Sequence, residues 1–170
     1  NATLLDAAKA LPLSERIELV EALWESIAES GYEPPLTAAQ EAELDRRVEE
    51  HRRSPEVAVP WNQVRAELDE ITPLGDESRI LFRPLARVEL AEAVAWYEAC
   101  LGLELKEEVD AALGQAAHTP GRFRRVRGEV RRALLRRFPY ALHFLAEPDA
   151  IVVLAVFHVR RDPRHLEGRG

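Results

Sequence analysis

The side chains best suited to chemistry are arginines, and they are concentrated in the last third of the chain. From residue 122 to residue 170, twelve arginines stand against five acids, a net charge of +7. Guanidinium groups bind phosphate bidentately and stay charged at any working pH. They could hold a nucleic-acid backbone or stabilise a phosphorane-like transition state. The candidates, with two histidines, are Arg122, Arg124, Arg125, Arg127, Arg131, Arg132, Arg136, Arg137, His158, Arg160, Arg161, Arg164 and His165.

His158 stands near the end of the long apolar run Ala150–Val159. An imidazole that leaves the core there, beside Arg160, could transfer protons. The alternative is an ordinary strand-end histidine bonded to the backbone. The arginines also have a second interpretation, as a surface that receives acidic side chains from the first half of the chain. An acidic segment that covers a basic working surface would inhibit it.

Most of the arginines lie on or beside three predicted strands, which follow two predicted helices. Strict alternation and unbroken apolar runs both indicate strands. A strand at 79–83 precedes a long helix from Pro84, and Gly102 marks a bend before a second helix. Two antiparallel helices on one face of a small antiparallel sheet make an α+β domain. The three strands are predicted at Val130–Phe138, Tyr140–Ala146 and Ala150–Val159.

The first half of the chain has the opposite charge and is predicted to be helical. Residues 1–74 hold sixteen acids and seven bases, a net charge of −9, whereas the remainder has a net charge of +2. Proline and glycine among polar residues mark a linker between the two. The predicted division is a helical segment at 1–70, a linker at 71–78 and an α+β domain at 79–170.

The helical segment has two parts. Residues 1–30 carry an apolar stripe at helical spacing, with Ser14 as the expected N-cap. A helical hairpin cannot bury such a stripe alone, so we expect a homodimer through these helices. Residues 34–70 form a polar arm that we expect to lie across the basic sheet or across the two-helix hairpin of the α+β domain. The arm could bind within its own chain or be exchanged between two chains. Its expected anchors are Trp61, Val64, Leu68, Leu44 and Val48.

Several classes of function lack their usual signals. The sequence has no Gly-rich phosphate loop, no HExxH and no nucleophile in a recognisable frame. Cys100 stands alone, so neither an internal disulfide nor a zinc ligand set is predicted. We expect no cofactor and no metal. The apolar runs are well short of the ~20 residues that cross a bilayer, and no signal peptide is recognisable. We therefore expect a cytoplasmic protein without a membrane partner.

Both halves resemble known families. Residues 80–169 are similar to toxins of the RelE/ParE superfamily, in ILFRPLARVELAEAVAWYE, VRRALLRRFPYALHF and VLAVFHVRRDP. Residues 4–70 resemble the addiction-module antitoxins found beside such toxins, in LPLSERIELVEALWESI, LTAAQEAELDRRVEEHRRSP and AVPWNQVRAEL. The resemblance implies a bacterial type II toxin–antitoxin pair in one chain, antitoxin first. Such a toxin arrests growth under stress when it is freed.

The toxin family has two activities. RelE-like members cut mRNA on the ribosome without a metal, and ParE-like members inhibit DNA gyrase by binding. For a ribonuclease, the resemblance implies that His158 moves protons while Arg132 or Arg136, Arg160 and Arg161 hold the phosphate. The remaining candidates would then form a surface for nucleic acid or another target, namely Arg124, Arg127, Arg131, Arg137, Arg164 and His165.

Two departures favour the ParE-like activity. Residues 107–170 contain no Lys, and no Tyr follows Tyr140. We therefore expect a gyrase inhibitor that the fused antitoxin segment neutralises. A ribosome-dependent mRNA endonuclease is one alternative, and a non-toxic complex or transcriptional autoregulator is another. Operator DNA stays among the candidate partners, although the acidic charge of the first half argues against a DNA-binding face there.

Overall fold

The computed structural model describes residues 2–69, 80–97 and 102–159. This part of the chain consists of α-helices, one sheet and short connections. The helices are α1 Ala2–Ala10, α2 Leu13–Glu29, α3 Ala38–Arg53, α4 Trp61–Asp69, α5 Pro84–Tyr97 and α6 Gly102–His118. The strands are β1 Val59–Pro60, β2 Ile80–Phe82, β3 Arg125–Arg127, β4 Val130–Leu134, β5 Tyr140–Ala146 and β6 Ile151–His158.

The strands form one sheet in the order β1-β2-β6-β5-β4-β3. Strand β6 lies inside it, parallel to β2 and antiparallel to β5. The sheet is therefore mixed, where the sequence predicted an antiparallel one. The parallel pair arises because the chain between β2 and β6 is long enough to cross over. The α+β class itself is confirmed: helices precede a sheet that carries helices on its face.

The sheet separates two apolar clusters. Helices α5 and α6 pack on one face, where Leu90, Val109 and Leu142 belong to the larger cluster. Leu44 of α3 lies in the smaller cluster on the other face, with Val152. Both faces of β6 are thus covered, which accounts for its unbroken apolar sequence.

Helix α3 begins with a capping box. The Thr37 hydroxyl accepts from the Gln40 N–H at 3.1 Å, and the Gln40 side chain accepts from the Thr37 N–H at 3.1 Å. Helix α2 has no such cap: Pro12 occupies the capping position, and Ser14, the predicted N-cap, lies inside the first turn. Proline at that place ends α1 and leaves no side chain to bond the free amides.

Strand β4 is shorter than predicted. It ends at Leu134, and the chain bends over residues 136–139 before β5 begins at Tyr140. The Leu135 N–H donates to the Tyr140 carbonyl at 3.0 Å, which closes this turn, and Phe138 is buried inside it. Alternation through residue 138 therefore reflected burial in a turn and not a continuous strand. The predicted linker at 71–78 lies outside the described residues, as do Cys100, Arg160, Arg161, Arg164 and His165.

Candidate interface between the arm and the basic sheet

We call residues 34–69 the arm and the described residues from 80 to 159 the sheet domain. Helix α3 of the arm lies against one face of the sheet. Leu44 is fully buried there, and Val48 and Leu36 pack at its border. The buried residues of α3 recur at intervals of four, three and four, so they share one side of the helix. They are Gln40, Leu44, Arg47 and His51.

The end of the arm extends the sheet and inserts a tryptophan. Strand β1 pairs with β2 in antiparallel register, as the outermost strand on that side. Trp61 is fully buried and stacks on Phe82, with ring centroids 5.1 Å apart. Its indole N–H donates to Asp110 Oδ1 at 2.9 Å, so the polar end of the ring is satisfied. Val64 is buried in the same cluster, whereas the side chain of Leu68 lies outside the described part.

Helix α2 makes a smaller contact on the other side of the sheet domain. The indole N–H of Trp24 donates to the Leu135 carbonyl at 2.9 Å. Ile17 packs at the border of the larger apolar cluster. Neither α1 nor α2 contains a buried residue. Trp24 lies within the segment 1–30 that was predicted to carry an apolar stripe, and its contact with the turn after β4 was not predicted.

Side chains complete the hydrogen bonding of β6 beyond its pairing with β2, which stops at Val153. The Gln40 amide donates to the His158 carbonyl at 3.2 Å, and Arg47 donates to the Leu154 carbonyl at 3.0 Å. The Val156 N–H donates to a Glu89 carboxylate oxygen at 3.1 Å. Two of these three side chains belong to the arm. The arm therefore supplies some of the hydrogen bonds that a neighbouring strand would otherwise make to β6.

A buried ion pair joins the arm to α5. Arg47 Nη1 and Nη2 lie 2.5 and 3.0 Å from the two carboxylate oxygens of Glu89. The side chains are 4% and 5% exposed. Burial raises the pKa of the Glu89 carboxyl, and the hydrogen bonds from Arg47 oppose that rise. Because an unpaired charge at such a site is strongly unfavourable, Glu89 depends on Arg47 to stay ionised.

Acidic side chains of the first half pair with several arginines of the described sheet domain. Arg127 lies 2.8 Å from Asp45, and hydrogen bonding to Arg127 lowers the pKa of the Asp45 carboxyl. The Glu33 carboxylate is 3.6 Å from Arg124 and 3.8 Å from Arg132. Further pairs join Arg127 to Glu41 and Arg136 to Glu29. Each such surface pair adds little stability, but together they place acids over the basic surface.

Arg132, a candidate phosphate ligand, and His158, the candidate proton carrier, lie on opposite faces of the sheet. Arg132 lies opposite His143 on β5 and contacts the Pro34 carbonyl of the arm, 2.7 Å away. His158 lies opposite Tyr140, a member of the cluster under α5 and α6, so it belongs to the other face of the sheet. Arg136 follows β4 in the turn. Burial lowers the pKa of the Arg132 guanidinium.

The other two predicted surface arginines bond within the sheet domain. Arg131 donates to the Phe123 carbonyl at 2.7 Å. Arg137 lies 3.5 Å from Glu108 of α6, and its guanidinium lies over the Phe138 ring. Neither contact comes from the arm.

Two buried histidines at this interface, one in the arm and one in β5, were not predicted. His143 is fully buried, and neither ring nitrogen has a hydrogen-bond partner among the described residues. Burial, with Arg132 and Arg47 nearby, lowers the pKa of this imidazole to about 3. His51 of α3 is also buried, with Nε2 2.9 Å from the Glu147 carboxylate. The helical spacing of residues 40, 44, 47 and 51 was the available signal for the arm's share of this interface.

No group of three or more potential metal ligands occurs in the described ranges, and no helix there is long and apolar enough to cross a bilayer. Residues 10–64 match the family described as "Putative addiction module component". This segment is therefore similar to addiction-module components. The recognition predicted for the first half is confirmed, and the match covers most of the arm as well as α2.

A search of curated proteins gives no match to this chain. The chain is similar to a solved structure titled "Chromosomal ParDE TA system from P. aeruginosa", with a TM-score of 0.41 and 16% sequence identity. The similarity covers 46% of this chain and 92% of that chain. An addiction-module segment bound to an α+β domain is the arrangement expected of a toxin–antitoxin module, and the family match supports it.

Proposed function

We propose that residues 2–69 neutralise a toxin whose fold is formed by the sheet domain. The observation that carries this proposal is that the family-matched segment is the same one that covers the basic face of the sheet. It holds the domain at three separate places, through Trp24, Arg47 and Trp61. Its acids also pair with Arg124, Arg127, Arg132 and Arg136. A target of this surface would have to displace the arm first.

The toxin we propose is ParE-like and inhibits DNA gyrase by binding. A ribonuclease needs its proton carrier and its phosphate ligands around one phosphate. Arg132 and His158 lie on opposite faces of the sheet, and His158 packs edge-on against Tyr140 at 5.3 Å between ring centroids. A protein-binding surface has no such geometric requirement. This separation supports the gyrase proposal over the mRNA endonuclease.

We also propose that α1 and α2 pair with the same helices of a second chain. Large apolar side chains remain exposed along both helices, with Leu4 79% and Leu23 57% exposed. A contiguous apolar surface of this kind usually marks an interaction site. Several of these side chains recur at helical spacing, so they form a stripe that a second copy could cover. They are Leu4, Leu5, Leu13, Leu19, Val20, Leu23 and Ile27.

Expression of residues 76–170 from a tightly controlled promoter tests the toxin and its target together. We expect growth arrest, with DNA synthesis failing within minutes while protein synthesis continues. Residues 1–70 supplied from a second plasmid should restore growth. The two rates are followed by uptake of labelled thymidine and methionine.

Failure of protein synthesis first would replace gyrase by mRNA as the target. Growth without arrest would overturn the toxin proposal, provided that the fragment is present and soluble.

A further inference from the structure

Arg47 occupies a pocket in the sheet domain that matches a guanidinium group on all sides. Its nitrogens make four hydrogen bonds: two to the Glu89 carboxylate, one to the Leu154 carbonyl and one to Glu43 of its own helix. The guanidinium carbon lies over the Phe157 ring, 5.0 Å from its centre. A carboxylate fork, a carbonyl and an aromatic face are together the contacts that distinguish arginine from lysine.

The sheet domain itself holds this pocket in place. The Val156 N–H donates to Glu89 Oε1, which fixes the carboxylate without help from the arm. Opposite β5, the register shifts so that His143 faces Ala155 while Phe144 faces Val153. Leu154 is the extra residue of this bulge. A bulge re-aims the groups at its extra residue, and here the Leu154 carbonyl points to the arginine.

We propose that Glu89, the Leu154 carbonyl and Phe157 form an arginine-specific socket that selects which arm the sheet domain accepts. A buried ion pair contributes little net stability relative to an apolar pair of similar volume, yet removal of one partner is strongly unfavourable. The pair therefore discriminates between arms more than it strengthens binding. An arm with glutamine or an apolar residue at position 47 would leave Glu89 buried and unpaired. A lysine would keep the charge but lose the bidentate geometry that matches the carboxylate. Selection is the role that this inference adds to the proposed neutralisation.

The test uses the full chain and the rate of hydrogen exchange at the amides of α3. Arg47→Ala removes the charge and should raise that rate by at least about a hundredfold. Arg47→Lys keeps the charge but loses the bidentate contact, and it should raise the rate by at least about tenfold. The double variant R47L/E89L should return it to within about tenfold of the parent. Methylguanidinium should slow exchange in R47A, whereas methylammonium at the same concentration should not. Methylguanidinium should have no effect in R47A/E89Q.

Arg46→Ala is the matched control, because Arg46 is adjacent, exposed and paired with Glu43 and Glu50 on the same helix. It should change exchange by no more than a few fold. Parent-like protection in R47K, or equal rescue by the two cations, would overturn the socket. Neutralisation is read separately, by the growth assay. If the two cations act equally while residues 1–70 still restore growth, only the socket proposal fails. If residues 76–170 do not arrest growth, the toxin proposal fails and the exchange result still tests the socket.

Discussion

The two ends of residues 2–69 are built differently, although both consist of amphipathic helices. Helices α1 and α2 contain no buried residue and expose a stripe of large aliphatic side chains. In the arm, by contrast, Leu44 and Trp61 are completely buried in the sheet domain. Burial of a large side chain stabilises by about 1.5–3 kcal/mol, so the arm supplies most of the binding energy. The first helices keep their apolar surface for another partner.

Replacement of Trp61, the buried anchor of the arm, should lower the free energy of unfolding more than the other changes predicted below. Trp61→Ala removes the stack on Phe82 and the bond to Asp110, and we expect a loss of about 3–5 kcal/mol in the free energy of unfolding. Trp61→Phe keeps a ring on Phe82 and should lose roughly half as much or less. Denaturant unfolding of the full chain gives both values.

Leu23→Ala in α2 is the comparison, because Leu23 is exposed. It should change the free energy of unfolding by no more than about 0.5 kcal/mol when measured at a concentration where the chain is monomeric. A Trp61→Ala loss below about 1 kcal/mol would show that the anchor of the arm lies elsewhere.

The second expected effect is a pH dependence caused by His143. Its pKa is about 3 in the folded chain, whereas a histidine in the unfolded chain titrates near 6.5. The folded state therefore binds fewer protons than the unfolded state between these values. The contribution of neutral His143 to the free energy of unfolding is therefore fully present above about pH 6.5. It is lost as the pH falls towards 3, by at most about 1.4 kcal/mol per pH unit.

His143→Leu isolates this effect, because Asp45 and other carboxylates also titrate in the acid range. At pH 7.5 the variant should be about as stable as the parent, since it removes two unpaired ring nitrogens. Between pH 6 and pH 4 the parent should lose stability faster than the variant in urea unfolding. Parallel curves would mean that the imidazole is not excluded from protonation in the folded chain.

The sequence predicted the strands formed by apolar runs, including the three-residue β2, and missed the short strands β1 and β3. The apolar runs at β5 and β6 were long enough to identify, but β1 has two residues and β3 three. Trp61 was identifiable because an isolated tryptophan on a polar helix needs a pocket. Arg47 and Glu89 were not, because a charged residue on a helix is normally exposed and the two are 42 positions apart. Their pairing depends on tertiary contacts that no local pattern encodes.

The smallest effect on stability should accompany the largest effect on assembly. Leu23→Glu places a charge in the middle of the exposed stripe of α2, where the parent side chain is 57% exposed. The folded chain tolerates this, because no buried contact is lost, and we expect a change in unfolding free energy of at most about 0.5 kcal/mol. If two copies cover this stripe, the charge would be buried in their interface, so the molar mass from light scattering should fall from that of a dimer to that of a monomer. Arg127→Ala removes a contact between the sheet domain and the arm, and it should leave the molar mass unchanged. A parent chain that is already monomeric at micromolar concentration would show that a second copy does not cover the stripe. The arm would then bind the sheet domain, and α1 and α2 would bind a different partner.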